Sequence, residues 1–186
     1  MSDNTFEINV ISNTIQTALD TLLARGQNLR PALLDWAEWA KGETDERFTE
    51  QADWHGTPWE PNAPDTLANY VQAGGAKNFK KDGSLSKRGQ TVLVAKKILQ
   101  GHTGNLRQYA FSYEASADSL TFGPWGNGLD AYAAIQQFGG QAGRGLSVYL
   151  PARSYLPVDA TGQLAPAAEA ELRAVLGEYL NRLWSR

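Results

Sequence analysis

Residues 166–184 read PAAEAELRAVLGEYLNRLW and form the most regular pattern in the 186-residue chain. Their apolar residues recur every three or four positions, which predicts one long amphipathic helix that starts near Pro166. The residues of this stripe are Leu172, Val175, Leu176, Tyr179, Leu180 and Leu183. A helix with one apolar face needs a second layer to cover it, so the rest of the chain is expected to supply that layer.

A second helix is predicted from Pro31 to about Phe48. Its apolar stripe consists of Leu33, Ala37, Ala40, Thr44 and Phe48. Two prolines and a glycine interrupt the run from Trp54 to Pro61, which indicates an ordered loop pinned to the core by its tryptophans.

Shorter elements complete the pattern. Strands are predicted at Thr5–Ile11, where apolar residues alternate, and at Leu146–Leu150, with a hairpin over 109–122. Helices are predicted from Ile15 to Gly26, over Pro64–Tyr70 and over Tyr132–Phe138, while 91–100 fits either a strand or a helix. The predicted fold class is α+β, a single domain over 1–186, with a small antiparallel sheet packed against several helices and a long C-terminal helix.

Composition excludes several chemistries. The chain has no cysteine and only two histidines, which excludes disulfides and thiolate sites and disfavours a histidine-rich zinc site. No apolar run is long enough to cross a bilayer, and the polar N-terminus does not resemble a signal peptide. We expect no cofactor, no membrane contact and a site of action in the cytosol or in a particle assembled there.

Charge is distributed unevenly along the chain. Residues 1–70 carry a net charge of −8, whereas residues 77–97 carry +6. The segment 73–90, rich in glycine and lysine, is predicted to be a mobile loop. The basic segment is either a solvated loop or a contact arm for nucleic acid or for an acidic neighbouring subunit.

Catalytic signals are weak. Asp53 and His55 are a conceivable acid–base pair, but a histidine in a turn commonly serves only the backbone. Neither a nucleophile elbow nor a phosphate-binding loop is present. Arg144 and Arg153 can meet a phosphate or a carboxylate, and for Arg153 a structural ion pair is the favoured role. Trp36 and Trp39 lie near one helix face and are candidates for core or for a self-assembly surface.

Four short motifs resemble one known family. They are Phe48…Asp53-x-x-Gly56-Thr57-Pro58-Trp59-Glu60-Pro61, Ile98-Leu99 with Thr103-Gly104-Asn105-Leu106, Tyr132-Ala133-Ala134-Ile135-Gln136-Gln137-Phe138-Gly139-Gly140, and Pro151-Ala152-Arg153-Ser154-Tyr155-Leu156. In this order they resemble the phage virion morphogenesis family. Gln136 stands where that family usually has histidine, which argues against acid–base or metal chemistry at this position.

The resemblance implies a virion component of the tail or neck, assembled in the host cytoplasm, rather than an enzyme. Such proteins complete the tail for joining to the head, and related ones form rings that are often hexameric. The implied partners are further copies of the chain and other tail or neck proteins, with non-specific DNA contact through 77–97 as the alternative. The candidate interaction residues are Lys77, Lys80, Lys81, Lys87, Arg88, Trp59, Arg144 and Arg153. None is expected to be catalytic.

Overall fold

A computed structural model describes residues 28–100, 105–125, 129–143, 145 and 147–184. The helices within these ranges are α1 (Arg30–Glu50), α2 (Pro64–Ala73), α3 (Lys87–Ala95), α4 (Asn105–Gln108), α5 (Asp130–Phe138) and α6 (Pro166–Trp184). The strands are β1 (Ser112–Ala115), β2 (Leu120–Gly123), β3 (Gly140–Ala142) and β4 (Val148–Leu150). The predicted α+β class is confirmed. The strand predicted at Thr5–Ile11 and the helix predicted from Ile15 lie outside the described residues.

Helices α1 and α6 pack against each other and form the centre of the fold. All five residues of the predicted α1 stripe are buried, because their spacing places them on one side of the helix. Leu172 and Leu176 of α6 are buried against them, as predicted. The indole N–H of Trp36 donates to the carbonyl oxygen of Ala168 at 2.9 Å, which satisfies the polar atom of the largest buried side chain between the two helices.

An aromatic core extends from α1 in both directions along the helix. Near its start, the Trp36 ring lies 5.6 Å from Phe122 of β2. Near its end, the Phe48 ring lies 5.5 Å from Trp59 and 5.3 Å from Tyr155. Edge-to-face and tilted ring contacts of this kind add to the stabilisation from burial.

The strands form two small sheets rather than the single sheet that was predicted. Strands β1 and β2 form one antiparallel pair, with Ser112 opposite Gly123, and β3 and β4 form another, with Gly140 opposite Leu150. Helix α5 separates the two pairs in sequence, so each is a local pairing. Tyr109 and Phe111 precede β1 instead of belonging to it.

The segment 73–90, predicted to be a mobile loop, has a defined local structure. A 3-10 turn spans Ala76–Asn78, a bridge joins Phe79 to Leu85, and α3 starts at Lys87. The buried Asn78 side chain donates to the carbonyl oxygen of Val71 at 2.8 Å. Gly89 is buried against Asn78, and a Cβ there would overlap the Asn78 carbonyl oxygen. Glycine therefore permits close packing here. The segment 91–100, left open as strand or helix, continues α3 to Ala95.

Candidate functional site

The four motifs meet at one junction beside the C-terminal end of α1. The indole N–H of Trp59 donates to the Ser154 carbonyl oxygen at 3.1 Å. The guanidinium of Arg153 donates to the carbonyl oxygens of Glu60 and Pro61, at 2.9 and 3.0 Å. The loop that follows α1 is thereby fixed to the segment that follows β4.

The Gln137 side chain is the centre of this junction and is fully buried. Its Oε1 accepts the backbone N–H groups of Tyr155 and Leu156, both at 2.9 Å. Its Nε2 donates to the carbonyl oxygens of Leu156 and Val158, at 3.3 and 2.9 Å. One amide therefore satisfies four backbone groups of the segment 155–158, whose only bridge among the described residues joins Val158 to Leu164.

The motif at 98–107 is attached to the same junction by Gln51. Gln51 lies at the end of α1 in the left-handed conformation, with φ 59°. Its Oε1 accepts the Ile98 N–H at 2.6 Å, and its Nε2 donates to the Ile98 carbonyl oxygen at 3.2 Å. The motif residues in the described ranges are therefore neighbours that hold loops together.

Arg153 does not form the predicted ion pair among the described residues. Its donors are used by the two carbonyl oxygens of the junction and, at 3.5 Å, by Gln136 Oε1. Burial lowers the pKa of Arg153, while the charges of Tyr132 and Glu60 oppose this shift. Trp59 is only 4% exposed. Both candidate interaction residues are therefore internal supports, and Arg144 lies outside the described residues.

The proposed tryptophan surface is also corrected. Trp36 is 1% exposed and belongs to the core. Trp39 packs against that core, with its ring 5.9 Å from Trp54. The indole N–H of Trp54 donates to the Tyr155 carbonyl oxygen at 2.8 Å. These side chains stabilise the monomer instead of forming an exposed apolar face.

Asp53 and His55 form a backbone turn. Asp53 Oδ1 accepts the N–H groups of His55 and Thr57, both at 2.8 Å. An aspartate that receives two backbone N–H groups is a common turn device. No group of three acidic or histidine side chains in the described ranges is placed to hold a metal ion. His102 lies outside these ranges.

The other five candidate interaction residues all lie exposed on one small helical unit, defined here as the basic unit, residues 64–95. Helix α2, the 3-10 turn and α3 contact one another and form this unit. Its exposed cations are Lys77, Lys80, Lys81, Lys87 and Arg88. Its bridged turn at 80–84 also contains Asp82, whose pKa is lowered by hydrogen bonds from Ser84.

Two of these cations are placed unfavourably for the monomer. Lys87 and Arg88 lie in the first turn of α3, where the helix dipole favours negative charge. Only the Ser86 side chain, which accepts the Gly89 N–H at 3.2 Å, caps this end. Cations at such a position suit a negatively charged partner.

A groove of about 980 Å³ lies between the basic unit and the β3–β4 pair. One wall includes Asn69, Tyr70 and Lys96, and the other includes Tyr132 and the run 148–151. Among the described residues, three of the four exposed large apolar side chains line it, namely Tyr132, Val148 and Tyr149.

Sequence analysis missed the Gln137 network and this groove. The only sequence signal for Gln137 is an amide within a short helix otherwise rich in alanine and apolar residues. The groove has no local signal, because residues 60–70, 96–100, 132–136 and 148–153 meet only in the folded chain.

Among the described residues, no helix combines the length and apolarity needed to cross a bilayer.

Comparison with known proteins identifies one family. The model of the phage virion morphogenesis family matches residues 10–181, which is nearly the whole chain. No curated protein and no solved structure matches.

Proposed function

Because the chain belongs to the phage virion morphogenesis family, we propose that it is a structural protein that completes the tail of a tailed phage or prophage and prepares it for joining to the head. The family match over residues 10–181 carries this proposal. Its place of action is the tail or neck of the virion, after assembly in the host cytoplasm. Its partners are further copies of the chain and other tail or neck proteins.

The charges of the surface support contacts between copies. The outer face of α1 is acidic, with Asp35, Glu38, Asp45, Glu46 and Glu50 all exposed. The basic unit lies elsewhere in the fold and exposes five cations. Two different surfaces of opposite charge fit a head-to-tail contact, in which one patch of a copy meets the other patch of the next copy. Repeated around an axis, this contact closes a ring.

The groups examined for catalysis support a structural role. The Asp53 carboxylate accepts the backbone N–H of His55 in a turn, and Gln136 is a neutral amide that contacts Arg153. Asp53 and His55 line a cavity of about 280 Å³, but Asp53 Oδ1 there accepts two backbone N–H groups and not the imidazole. The proposal therefore assigns the chain an assembly role without a catalytic step.

Solution mass by light scattering, over a series of protein and salt concentrations, tests the ring. We expect a discrete ring-sized species that dissociates as salt rises, because salt screens exposed charges. Lys80→Glu should weaken assembly, whereas Arg182→Glu makes the same charge change at the far end of α6 and should not. A monomer at every concentration, with or without isolated tails, contradicts the ring.

Mixing two variants tests the head-to-tail geometry. Lys80→Ala removes a cation from the basic surface, and Glu46→Ala removes an anion from the acidic surface of α1, so the two altered surfaces gain no new attraction. A mixture retains one intact contact, between the acidic face of the first variant and the basic unit of the second. We therefore expect heterodimers and no rings from the mixture, and monomers from each variant alone. Recovery of full rings would contradict a single head-to-tail contact.

Contact with DNA is the alternative use of the basic unit, favoured by the exposure of its five cations. Such binding would depend on backbone phosphates and would weaken steeply with salt. Filter binding with duplex DNA separates the two uses. Binding that is lost in Lys80→Glu, while the oligomer persists, would favour the DNA contact.

A further inference from the structure

Within the described part of the chain, the edge of strand β4 that faces the groove has no partner strand. Among the described residues the strand pairs only with β3, and the pair has no third strand. Side chains of a strand alternate between its two faces, so a cavity lined by every residue from 148 to 151 lies along the edge of the strand. None of the β3 residues lines the groove, so the edge is the one opposite β3. An unpaired edge beside apolar side chains is a template for another strand.

The apolar part of the groove is unusually exposed. Tyr149 is 71% exposed, Val148 53% and Tyr132 46%. A bound strand with one apolar face would cover these side chains.

Two cations and two carboxylates line the groove. Lys96 and Arg153 both line it, and the Lys96 Nζ is held by the carbonyl oxygens of Lys97 and Gln100. Burial, followed by the charge of Arg153, lowers the pKa of Lys96. Glu60 and Asp65 also line the groove, and the Glu60 charge partly offsets that of Arg153. A carboxylate from an incoming chain would relieve the repulsion between the two cations.

The chain contains a segment of matching chemistry. Residues 5–11 read TFEINVI, with Phe6, Ile8 and Val10 on one face of a predicted strand. Residues 3–11 include Asp3 and Glu7 and no basic residue. The apolar face of this alternating segment therefore complements the exposed apolar side chains beside the β4 edge, and its carboxylates suit the Lys96 and Arg153 pair.

We propose that the segment Thr5–Ile11 of one copy adds as a third strand to the groove-facing edge of β4 in the neighbouring copy. This inference rests on the proposed function, and it defines a second contact within the same head-to-tail assembly. The segment precedes α1, whose outer face carries the acidic surface, and the groove adjoins the basic unit. Both contacts therefore join the same two sides of adjacent copies.

Reach favours a neighbouring copy over the same chain. Helix α1 has 21 residues and is about 31 Å long. The described chain begins at its N-terminal end, while Glu60 of the groove follows Trp59, which packs against Phe48 near the C-terminal end. A helix from Ile15 to Gly26 would span about 18 Å, and its extended flanks about 20 Å more. The segment reaches the groove of its own copy only if this helix and both of its extended flanks run parallel to α1.

Cysteine cross-linking tests this pairing, because the chain has no cysteine of its own. Paired residues of adjacent strands have Cα atoms about 4.5–5.5 Å apart, within the range of a disulfide. Single variants Glu7→Cys, Ile8→Cys and Asn9→Cys are each mixed with Tyr149→Cys and oxidised, both as concentrated purified protein and in particles. The control partner is Glu114→Cys, an exposed position in β1 of the other sheet.

We expect at least one of the three segment variants to form a disulfide-linked dimer with Tyr149→Cys. This variant should react with Tyr149→Cys at least tenfold faster than it reacts with the control Glu114→Cys. Equal rates, or faster reaction with Glu114→Cys, would overturn the inference. A chain that carries both a segment cysteine and Tyr149→Cys tests pairing within one copy. A disulfide within that chain, together with no dimer in the mixture of single variants, would also overturn the inference. If the protein is present in particles without the cross-link, only this inference fails; if it is absent from particles and monomeric, the proposed function fails.

Discussion

The side-chain oxygen of Gln137 accepts the backbone N–H of Tyr155 at 2.9 Å, and this bond joins two motifs of the sequence. Gln137 lies in the last turn of α5, and Tyr155 lies in the core against Phe48. The buried amide thus provides hydrogen bonds to backbone groups of the 155–158 segment, as a neighbouring strand does in a sheet. It positions the wall of the groove relative to α1.

Replacing Gln137 tests this role. Gln137→Leu removes the partners of four buried backbone groups, so the free energy of unfolding should fall by about 3 kcal/mol or more. Urea denaturation measures the change. The control is Gln90→Leu, at an exposed position of α3, where a change within about 0.5 kcal/mol is expected. Equal effects of the two variants would show that the amide network contributes little.

Two glycines should respond to alanine in opposite directions. Gly139 has φ 71°, and a Cβ there would lie 2.8 Å from the backbone nitrogen of Ala152. Gly139→Ala should therefore lower the midpoint of thermal unfolding, with a cost of about 2 kcal/mol. Gly42 lies inside α1 with open space around its Cβ position, so Gly42→Ala should stabilise by about 1 kcal/mol. A stabilising Gly139→Ala would contradict the observed close approach.

The Asp45–Arg107 pair should make stability depend on pH. Arg107 donates to both Asp45 oxygens, at 2.5 and 2.6 Å, and this hydrogen bonding lowers the pKa of Asp45 against the opposing effect of burial. Because the folded pKa is lower than the unfolded one, the pair stabilises the fold above pH about 4 and stops doing so as pH falls through the folded value.

Asp45→Asn should consequently cost less than about 1 kcal/mol at pH 7, since the carboxylate is 55% exposed and screened by solvent. The difference from the unmodified protein should disappear at low pH. Urea denaturation at pH 7 and pH 3 measures it, with Asp35→Asn, on the same helix but outside the pair, as control. A difference that persists unchanged at pH 3 would contradict the assignment.

Substitutions of Asp53 and His55 should differ in their effects on stability if the two residues form only a backbone turn. Asp53→Ala loses two backbone hydrogen bonds and should destabilise by about 1 kcal/mol. His55→Ala keeps its own backbone N–H bond to Asp53 and should leave both stability and assembly unchanged. Thermal unfolding and light scattering measure these outcomes. Loss of assembly in a stable His55→Ala variant would assign the imidazole a role that the turn does not explain.

Sequence patterns predicted the helices because helical burial repeats locally. The stripe from Leu33 to Phe48 follows from a period of 3.6 residues, and its burial needs only some partner layer. No periodic pattern indicated the burial of Gln137, because its hydrogen-bond partners lie about twenty residues further along the chain. Local patterns therefore predicted which elements form but not which polar groups join them.

The local structure of the segment 73–90 had no signal in its composition. Its glycines and lysines have the composition of a mobile loop, yet Gly89 and Asn78 are buried against each other. Glycine content alone does not distinguish freedom of the backbone from close packing. The five cations are exposed, as charged side chains generally are unless they are paired.

Electron microscopy of particles made by the encoding phage or prophage, with this gene deleted, tests the central claim most directly. The account predicts filled heads and separate, unfinished tails, with joined particles restored when the unmodified chain is supplied in the same cells. Joined, infectious particles formed at the normal yield without the chain would contradict a role in tail completion.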